Sequence, residues 1–407
     1  MTTLTPTTEN PEYLTSQLIT YIGNKRALLD FIGEGVGIVQ KELGKEKLDC
    51  LDIFAGSGIV SRFLKQYASS ITVNDLENYA CIISRCYLAN KSEIDLEKLQ
   101  KLYKELQADI ESEVEKYAGQ TPSAGTKENL PGFISELYSP ADENDIQKSD
   151  RCFYTKYNAN YLDLARQIID RRVPAEYRDF FIAPLLSEAS IHANTAGIFK
   201  GFYKNSKTGV GQFGGNGKNA LSRITGKVQL KFPVFSNYEC KSRVFSQNAN
   251  ELVLNEELYN FGGSGSDSFD LAYFDPPYNQ HPYGSNYFML NLLADYKRPD
   301  TERISRVSGI PRDWNRSAYN KKKKVAAVFS ELVKNVRAKY VLISFNSEGF
   351  ISKDEMIELL SACGQVRVLE SEYNAFRGSR NLSGREIHVK EYLFLVKKNI
   401  KNLEILV

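Results

Sequence analysis

The sequence predicts an α/β fold, a mostly parallel sheet whose chain is interrupted by a large insertion, and three observations predict it. An apolar strand near residue 50 runs into a glycine turn and a helix. Strand-like and helix-like stretches alternate again after residue 240. Between them lies a long region, first helical and then glycine-rich, that carries no strand pattern. The 407 residues, 42% of them apolar, suffice for such a core plus one extra lobe.

Leu48 to Phe54 is the first strand, Ala55-Gly56-Ser57-Gly58 its turn, and Ile59 to Gln66 the helix of a βαβ unit. Ser70 to Asn74 is the second strand, ending at Asp75 and followed by a helix through Asn90. From Ser92 to Tyr117 leucines and charges recur at helical period, whereas 119–140 is rich in Gly, Pro, Ser and Thr and reads as a surface loop. Tyr161 to Asn194 reads as helical, and 195–227 as an irregular, basic segment. Strands resume at Arg243 to Ser246, Phe269 to Phe274, Tyr340 to Phe345, Gln365 to Leu369 and Ile387 to Val396, alternating with helices at 284–295, 321–337 and 354–363. The division expected is 1–90 for an N-terminal cofactor-binding half, 91–235 for an inserted target-recognition region, and 236–407 for a catalytic half with further loops.

Composition excludes several classes. With 52 basic against 50 acidic residues the net charge is +2, so overall charge announces no polyanionic partner and local charge must make that case. Six cysteines lack paired spacing and three histidines lie far apart, so a reduced, cytoplasmic protein without a metal site is expected. The N-terminus lacks the charge-then-apolar pattern of a signal, and no run approaches about 18 apolar residues, so neither export nor a membrane is expected.

The turn Asp52-Ile53-Phe54-Ala55-Gly56-Ser57-Gly58 has two glycines and lacks the third of a dinucleotide fingerprint. Small residues there admit close approach of a ligand without a pyrophosphate, such as the amino-acid end of S-adenosylmethionine. Asp75, at the end of the next strand, can accept from both ribose hydroxyls of a nucleoside cofactor. Upstream, Tyr21-Ile22-Gly23-Asn24-Lys25 forms a turn whose lysine could pair with the cofactor carboxylate. Taken alone, Lys25 reads as a solvated charge at a helix start, and only its company downstream changes that.

That company is Asp275-Pro276-Pro277-Tyr278, which ends the apolar strand Leu271 to Phe274. Two prolines can continue neither ladder nor helix, so the backbone is held rigid at the carboxyl end of a strand, where ligands of open parallel sheets bind. An adenine amine is a poor nucleophile because its lone pair is delocalised into the ring. Two acceptors for its hydrogens, the Asp275 carboxylate and the Pro276 carbonyl, would turn that lone pair toward a sulfonium methyl. Tyr278 would stack on the base, which must first be flipped from the duplex, and His281, Tyr283, Tyr287 and Phe288 follow within reach.

These motifs together resemble the adenine-specific DNA methyltransferases that include Dam, in the α-class order of cofactor half, insertion and Asp-Pro-Pro-Tyr. The wording of 186–238 and 376–394 is most similar to the modification methylases that accompany FokI-type restriction enzymes. The resemblance implies a Rossmann-like class I S-adenosylmethionine-dependent methyltransferase sheet with an inserted DNA-recognition lobe. It implies a site-specific enzyme acting on N6 of adenine in double-stranded DNA, within a restriction-modification system whose endonuclease acts separately, and a monomer. The cofactor residues it implies are Tyr21, Asn24, Lys25, Asp52, Phe54, Ala55, Gly56, Ser57, Gly58, Asp75, Asn248, Ala249 and Asp275. One departure matters: where the family commonly has an acid for the cofactor adenine, the chain reads Gln247-Asn248-Ala249-Asn250, leaving an amide oxygen of Asn248 to accept.

Local charge supplies the DNA partner. Lys200, Lys204, Lys207, Lys218 and Arg223 sit in an acid-free segment with Phe199, Phe202, Tyr203 and Phe213, which suits a phosphate-tracking loop. Arg312, Arg316, Arg377 and Arg380, with Arg385 beside them, are candidates for guanine reading. The tetrad Lys321 to Lys324 reads instead as a solvated helix start. Two rivals remain, an N4-cytosine methyltransferase, whose loop more often begins with serine, and an inert DNA-specificity subunit, which would show a broken motif.

Overall fold

The computed structural model describes residues 8–118, 131–215, 217–218, 220–260, 267–374 and 388–399. Among these residues seven strands form one sheet: β1 (Leu48–Asp52), β2 (Ala68–Asn74), β3 (Lys241–Phe245), β4 (Phe269–Phe274), β5 (Ala338–Asn346), β6 (Gly364–Asn374) and β7 (His388–Lys398), in the order β3-β2-β1-β4-β5-β7-β6. Neighbours from β3 to β5 pair parallel, and β7 runs antiparallel to both β5 and β6.

Every residue of β1 and of β4 is buried, Asp49, Asp52 and Asp270 included, which is why neither strand shows a solvent-facing polar alternation. Their side chains still alternate between faces. Cys50, Leu271, Tyr273 and Leu342 pack on the helix Leu29–Leu43 side, and Leu51, Ala272, Phe274 and Ile343 pack against helices Val325–Asn335 and Lys353–Ser361. From β1 the chain moves outward through β2 to β3 and then returns to the other side of β1 as β4. The switch point therefore lies between β1 and β4, and the carboxyl ends of β1, β2 and β4 deliver Asp52, Asp75 and Asp275 to the same edge.

The region between β2 and β3 builds a third core. Helices Leu96–Ala118, Phe133–Tyr138, Lys156–Arg172 and Asp179–Ile191 pack with Asn78–Leu88 and Phe288–Asp295, so the inserted helices share one apolar cluster with two helices of the sheet domain.

Three local expectations are corrected. The segment read as loop through residue 140 contains the helix Phe133–Tyr138, whose Phe133, Ile134, Leu137 and Tyr138 are buried on one face. Its start is held by a distant acid, because Asp163 accepts from the Ile134 and Ser135 N–H groups at 3.2 and 2.8 Å. The stretch 161–194 is two helices, parted where Val173 precedes Pro174, since a residue before proline avoids helical geometry. The stretch 284–295 is broken at Tyr287, which lies between Tyr283–Asn286 and Phe288–Asp295 with φ −122°. Among the described residues no helix is long and apolar enough to cross a membrane.

Candidate active site at the carboxyl edge of the sheet

The two prolines stop β4, and hydrogen bonds fix the loop beyond them. Phe350 N donates to Tyr278 O at 2.9 Å, and Asn320 Nδ2 donates to the carbonyls of Asn279 and His281 at 2.8 and 3.2 Å. The loop is therefore tied to the chain after β5 and to the segment before Val325–Asn335. It forms one wall of a cleft whose opposite wall is Ala55-Gly56-Ser57 with Asp75, so the two motifs share one space. Tyr21, Asn24, Lys25, Phe54, Asn248, Ala249, Asp275, Pro277 and Tyr278 also line it.

Lys25 is 3% exposed, which removes the solvated reading. Its Nζ lies 2.7 Å from Glu391 Oε1 and 3.4 Å from Asp275 Oδ1. Burial by itself would lower the ammonium pKa, but Asp275 and Glu391 outweigh it and hold the group charged. Two carboxylates of the protein thus already face an ammonium that also lines the cleft. Asp275 is pushed up to about 7, first by burial, with Lys25 pulling it down and Glu391 adding to the rise.

The turn that carries Lys25 is gripped by tyrosines. Tyr287 Oη accepts from Ile22 N at 2.7 Å, and Tyr283 Oη donates to Ile22 O at 3.1 Å. Both rings stack on Tyr21, with centroids at 4.8 and 5.0 Å. Gly56, at φ +54°, lies so close beneath that a Cβ there would stand 2.8 Å from the Tyr21 ring. Tyr287 and Phe288, expected near a base pocket, are core residues. Tyr278 is 8% exposed and packs edge-on against Phe345 at 5.4 Å, so most of its ring is structural surface.

At the other end, Asp75 accepts from Gly56 N at 2.7 Å and Glu77 N at 2.9 Å, and burial raises it to about 6. Glu77 lines the cleft too, raised to about 7 by burial while it accepts from the amides of Asn291 and Asn315. Asp52 and Gly58 stand behind the wall. Asp52 is 1% exposed and accepts from Ser61 Oγ, pinning the turn to the next helix, and Gly58, at φ +74°, is that helix's cap. Pro276, within the loop, is buried. Asn248 lines the cleft, and its Oδ1 caps a short helix by accepting from Asn250 N at 2.9 Å, which uses one of that oxygen's two lone pairs. Sequence reasoning missed Glu77, Asn315, Tyr319 and Asn320, which line the cleft, and Glu391 behind it. The spacing of Glu77 after Asp75 was a usable signal; Glu391 offered none.

Outside the cleft, two basic segments form hairpins of one design. Lys204 pairs with Gly211 and Ile304 with Pro311; Gly209 N donates to Asn205 O and Gly309 N to Ser305 O, both at 2.9 Å. Each turn closes on a glycine of positive φ, 70° and 77°. Lys204 Nζ joins them by donating to Val307 O at 3.2 Å. Lys200, Lys204, Lys207, Lys218, Arg312 and Arg316 are exposed, and Arg316 lies 4.2 Å over the Trp314 ring. Arg223 differs: its guanidinium donates to the carbonyls of Ile191, Ala193 and Thr195, closing the end of Asp179–Ile191. Phe199 and Phe202 pack on Phe153 and anchor the loop to the core. Arg377, Arg380 and Arg385 lie outside the described residues.

The model of the D12 class N6 adenine-specific DNA methyltransferase family matches residues 21–208 and 216–359. The chain is 29% identical over 389 residues to the Type II methyltransferase M.CviAII of Paramecium bursaria Chlorella virus 1, covering 93% of this chain and 98% of that protein. It is 28% identical over 390 residues to M.NlaIII of Neisseria lactamica, covering 93% and 99%. Against M.FokI of Planomicrobium okeanokoites the identity is 25% over 391 residues, covering 93% of this chain and 53% of that protein.

Proposed function

The chain belongs to the D12 class of N6 adenine-specific DNA methyltransferases, so its chemistry is methyl transfer to an adenine amine in DNA, and we propose that the cleft between Ala55-Gly56-Ser57 and the Asp275 loop takes S-adenosylmethionine and the flipped base together. The observation that carries this reading is that the glycine turn, Asp75 and Asp275, distant in sequence, line one cleft.

The residues present fit that cofactor. Gly56 leaves no room for a side chain beneath Tyr21, Asp75 and Glu77 are acceptors suited to ribose hydroxyls, and Phe54 with Tyr319 forms an aromatic corner, centroids 5.2 Å apart, for a purine. When bound, S-adenosylmethionine supplies an electrophilic methyl group, released as the new N–C bond forms and the S–C electron pair returns to sulfur. Asp275 accepts one hydrogen of the adenine amine and the Pro276 carbonyl the other, so the nitrogen lone pair faces the methyl group. The proton lost from N6 passes to Asp275 and then to water. Tyr278 supplies an edge of aromatic surface to the base.

Residues 1–90 and 236–407 form the catalytic halves, and 91–235 carries the DNA-facing lobe. Lys200, Lys204, Lys207 and Lys218 meet phosphates, and Arg312 and Arg316 read base edges; the exposure of all six supports this reading. The relatives' names, type II methyltransferase and modification methylase, support a restriction-modification role, and we infer an endonuclease that acts separately. We assign a monomer in the cytoplasm.

The test is incubation with labelled S-adenosylmethionine and duplex DNA, followed by nucleoside analysis, at two salt concentrations. Label in N6-methyldeoxyadenosine is expected, and substituting the four lysines should flatten the salt dependence of binding by about one unit per contact removed. Label in N4-methyldeoxycytidine, or none, would sink the reading.

A further inference from the structure

Glu391 sits on β7, the strand that runs antiparallel to both its neighbours, in register with Asn346 of β5, and is 3% exposed. Its Oε1 accepts from Lys25 Nζ at 2.7 Å and from Ser344 Oγ at 2.8 Å. The same ammonium reaches Asp275 Oδ1 at 3.4 Å, so one cation is shared by two acids, Glu391 buried and Asp275 partly open to the cleft, and Glu391 holds the shorter contact.

The fold alone does not call for this cluster. A buried ion pair replaced by apolar groups of equal volume is often neutral or stabilising, so two acids and one base in a core next to a reacting group point to function. The chemistry supplies the reason. Lys25 alone beside Asp275 would cancel its charge and make it a poor hydrogen acceptor. With no cation at all, burial would keep Asp275 protonated. Two acids on one ammonium leave a net negative charge where the amine turns positive as the methyl group arrives.

We propose that Glu391 is a positioning residue for methyl transfer: oriented by Ser344, it draws the Lys25 ammonium partly away from Asp275, so that Lys25 still favours the ionised carboxylate while its oxygen stays available to the adenine amine. This rests on Asp275 being the acceptor. The groups facing the cluster are Asp52 from β1, Tyr273 from β4, Tyr278 and Tyr283 after it, and Glu348 after β5. Of these, Asp52 titrates closest to Asp275, raised to about 7 by burial, and Asp52→Asn serves as the control background.

The informative variant is Glu391→Gln, which keeps the size and an oxygen that can accept from Lys25 and Ser344 but removes the charge. Single-turnover methylation should fall at least about tenfold at pH 8, with cofactor and DNA affinities unchanged. The acid limb of the rate should move to lower pH, because a negative neighbour of Asp275 is gone; in Lys25→Met it should move to higher pH. Glu391→Asp should recover part of the rate. A Glu391→Gln enzyme with wild-type rate and acid limb overturns the proposal, and so does one that loses only thermal stability. Asp275→Asn separates the failures. If it is inactive while Glu391→Gln is normal, only this inference falls; if Asp275→Asn is active, the acceptor reading falls with it.

Discussion

The cleft has two acidic ends, and they are held in opposite ways. At the β1–β2 end, Asp75 and Glu77 are supported by neutral donors, the backbone N–H groups of Gly56 and Glu77 and the amides of Asn291 and Asn315. At the β4 end, Asp275 and Glu391 share the Lys25 ammonium. Burial raises the carboxyls of Asp75, Glu77 and Asp275 alike. The difference lies in what each end can offer a ligand. Acids on neutral donors keep accepting capacity for neutral hydroxyls, which is a binding task. An acid on a shared cation is tuned in charge, which is a task of the transition state.

The largest expected effect breaks the β4 end. Asp275→Ala should lower the single-turnover rate by at least about 10³-fold while leaving DNA affinity within a factor of about two, because it removes an acceptor used during reaction and no phosphate contact. A variant that kept a tenth of the wild-type rate would end the distinction between the two ends.

An intermediate effect should appear at the β1–β2 end. Asp75→Ala should raise the cofactor dissociation constant by about 10- to 100-fold, through lost charged hydrogen bonds and a loosened Gly56 turn, with little change in rate at saturating cofactor. Calorimetry without DNA measures the first and saturation kinetics the second. Equal loss of both, or of neither, would show that the ends are not divided by task.

The smallest effect concerns Asp52, which lines neither end. Burial raises its carboxyl to about 7, so the folded state holds a proton that the unfolded chain has already released above about pH 4. Stability contributed by the neutral form is therefore present at low pH, drains away as pH rises from about 4 to about 7, and stays constant above. Asp52→Asn should remove that slope from the thermal midpoint without changing cofactor affinity. A fall in affinity instead would place Asp52 back in the cleft wall.

Much of this arrangement was legible in the chain. Strands β1 and β4 were readable because each is a short, mainly apolar stretch with a few acids that is closed by turn residues, and the Pro276-Pro277 pair marks a strand end whatever surrounds it. The glycine turn and Asp75 were readable for the same local reason. Lys25 was not. A lysine in a glycine turn looks solvated until Tyr21, Tyr283 and Tyr287 are seen to fold that turn into the core. Arg223 misled in the opposite direction, since a basic, glycine-rich segment gives no sign that one of its arginines is spent on helix carbonyls.

The sequence by itself thus determined the fold class, the order of the motifs and the acid that ends β4, because these depend on periodicity and backbone stereochemistry within a few residues. Only the tertiary structure decided which acids meet a cation. Lys25 and Glu391 are 366 positions apart, and their encounter requires β7 to run backward beside β5. Charge state in a protein interior is set by burial and by neighbours within a few ångströms, and strand order, not the local chain, supplies those neighbours.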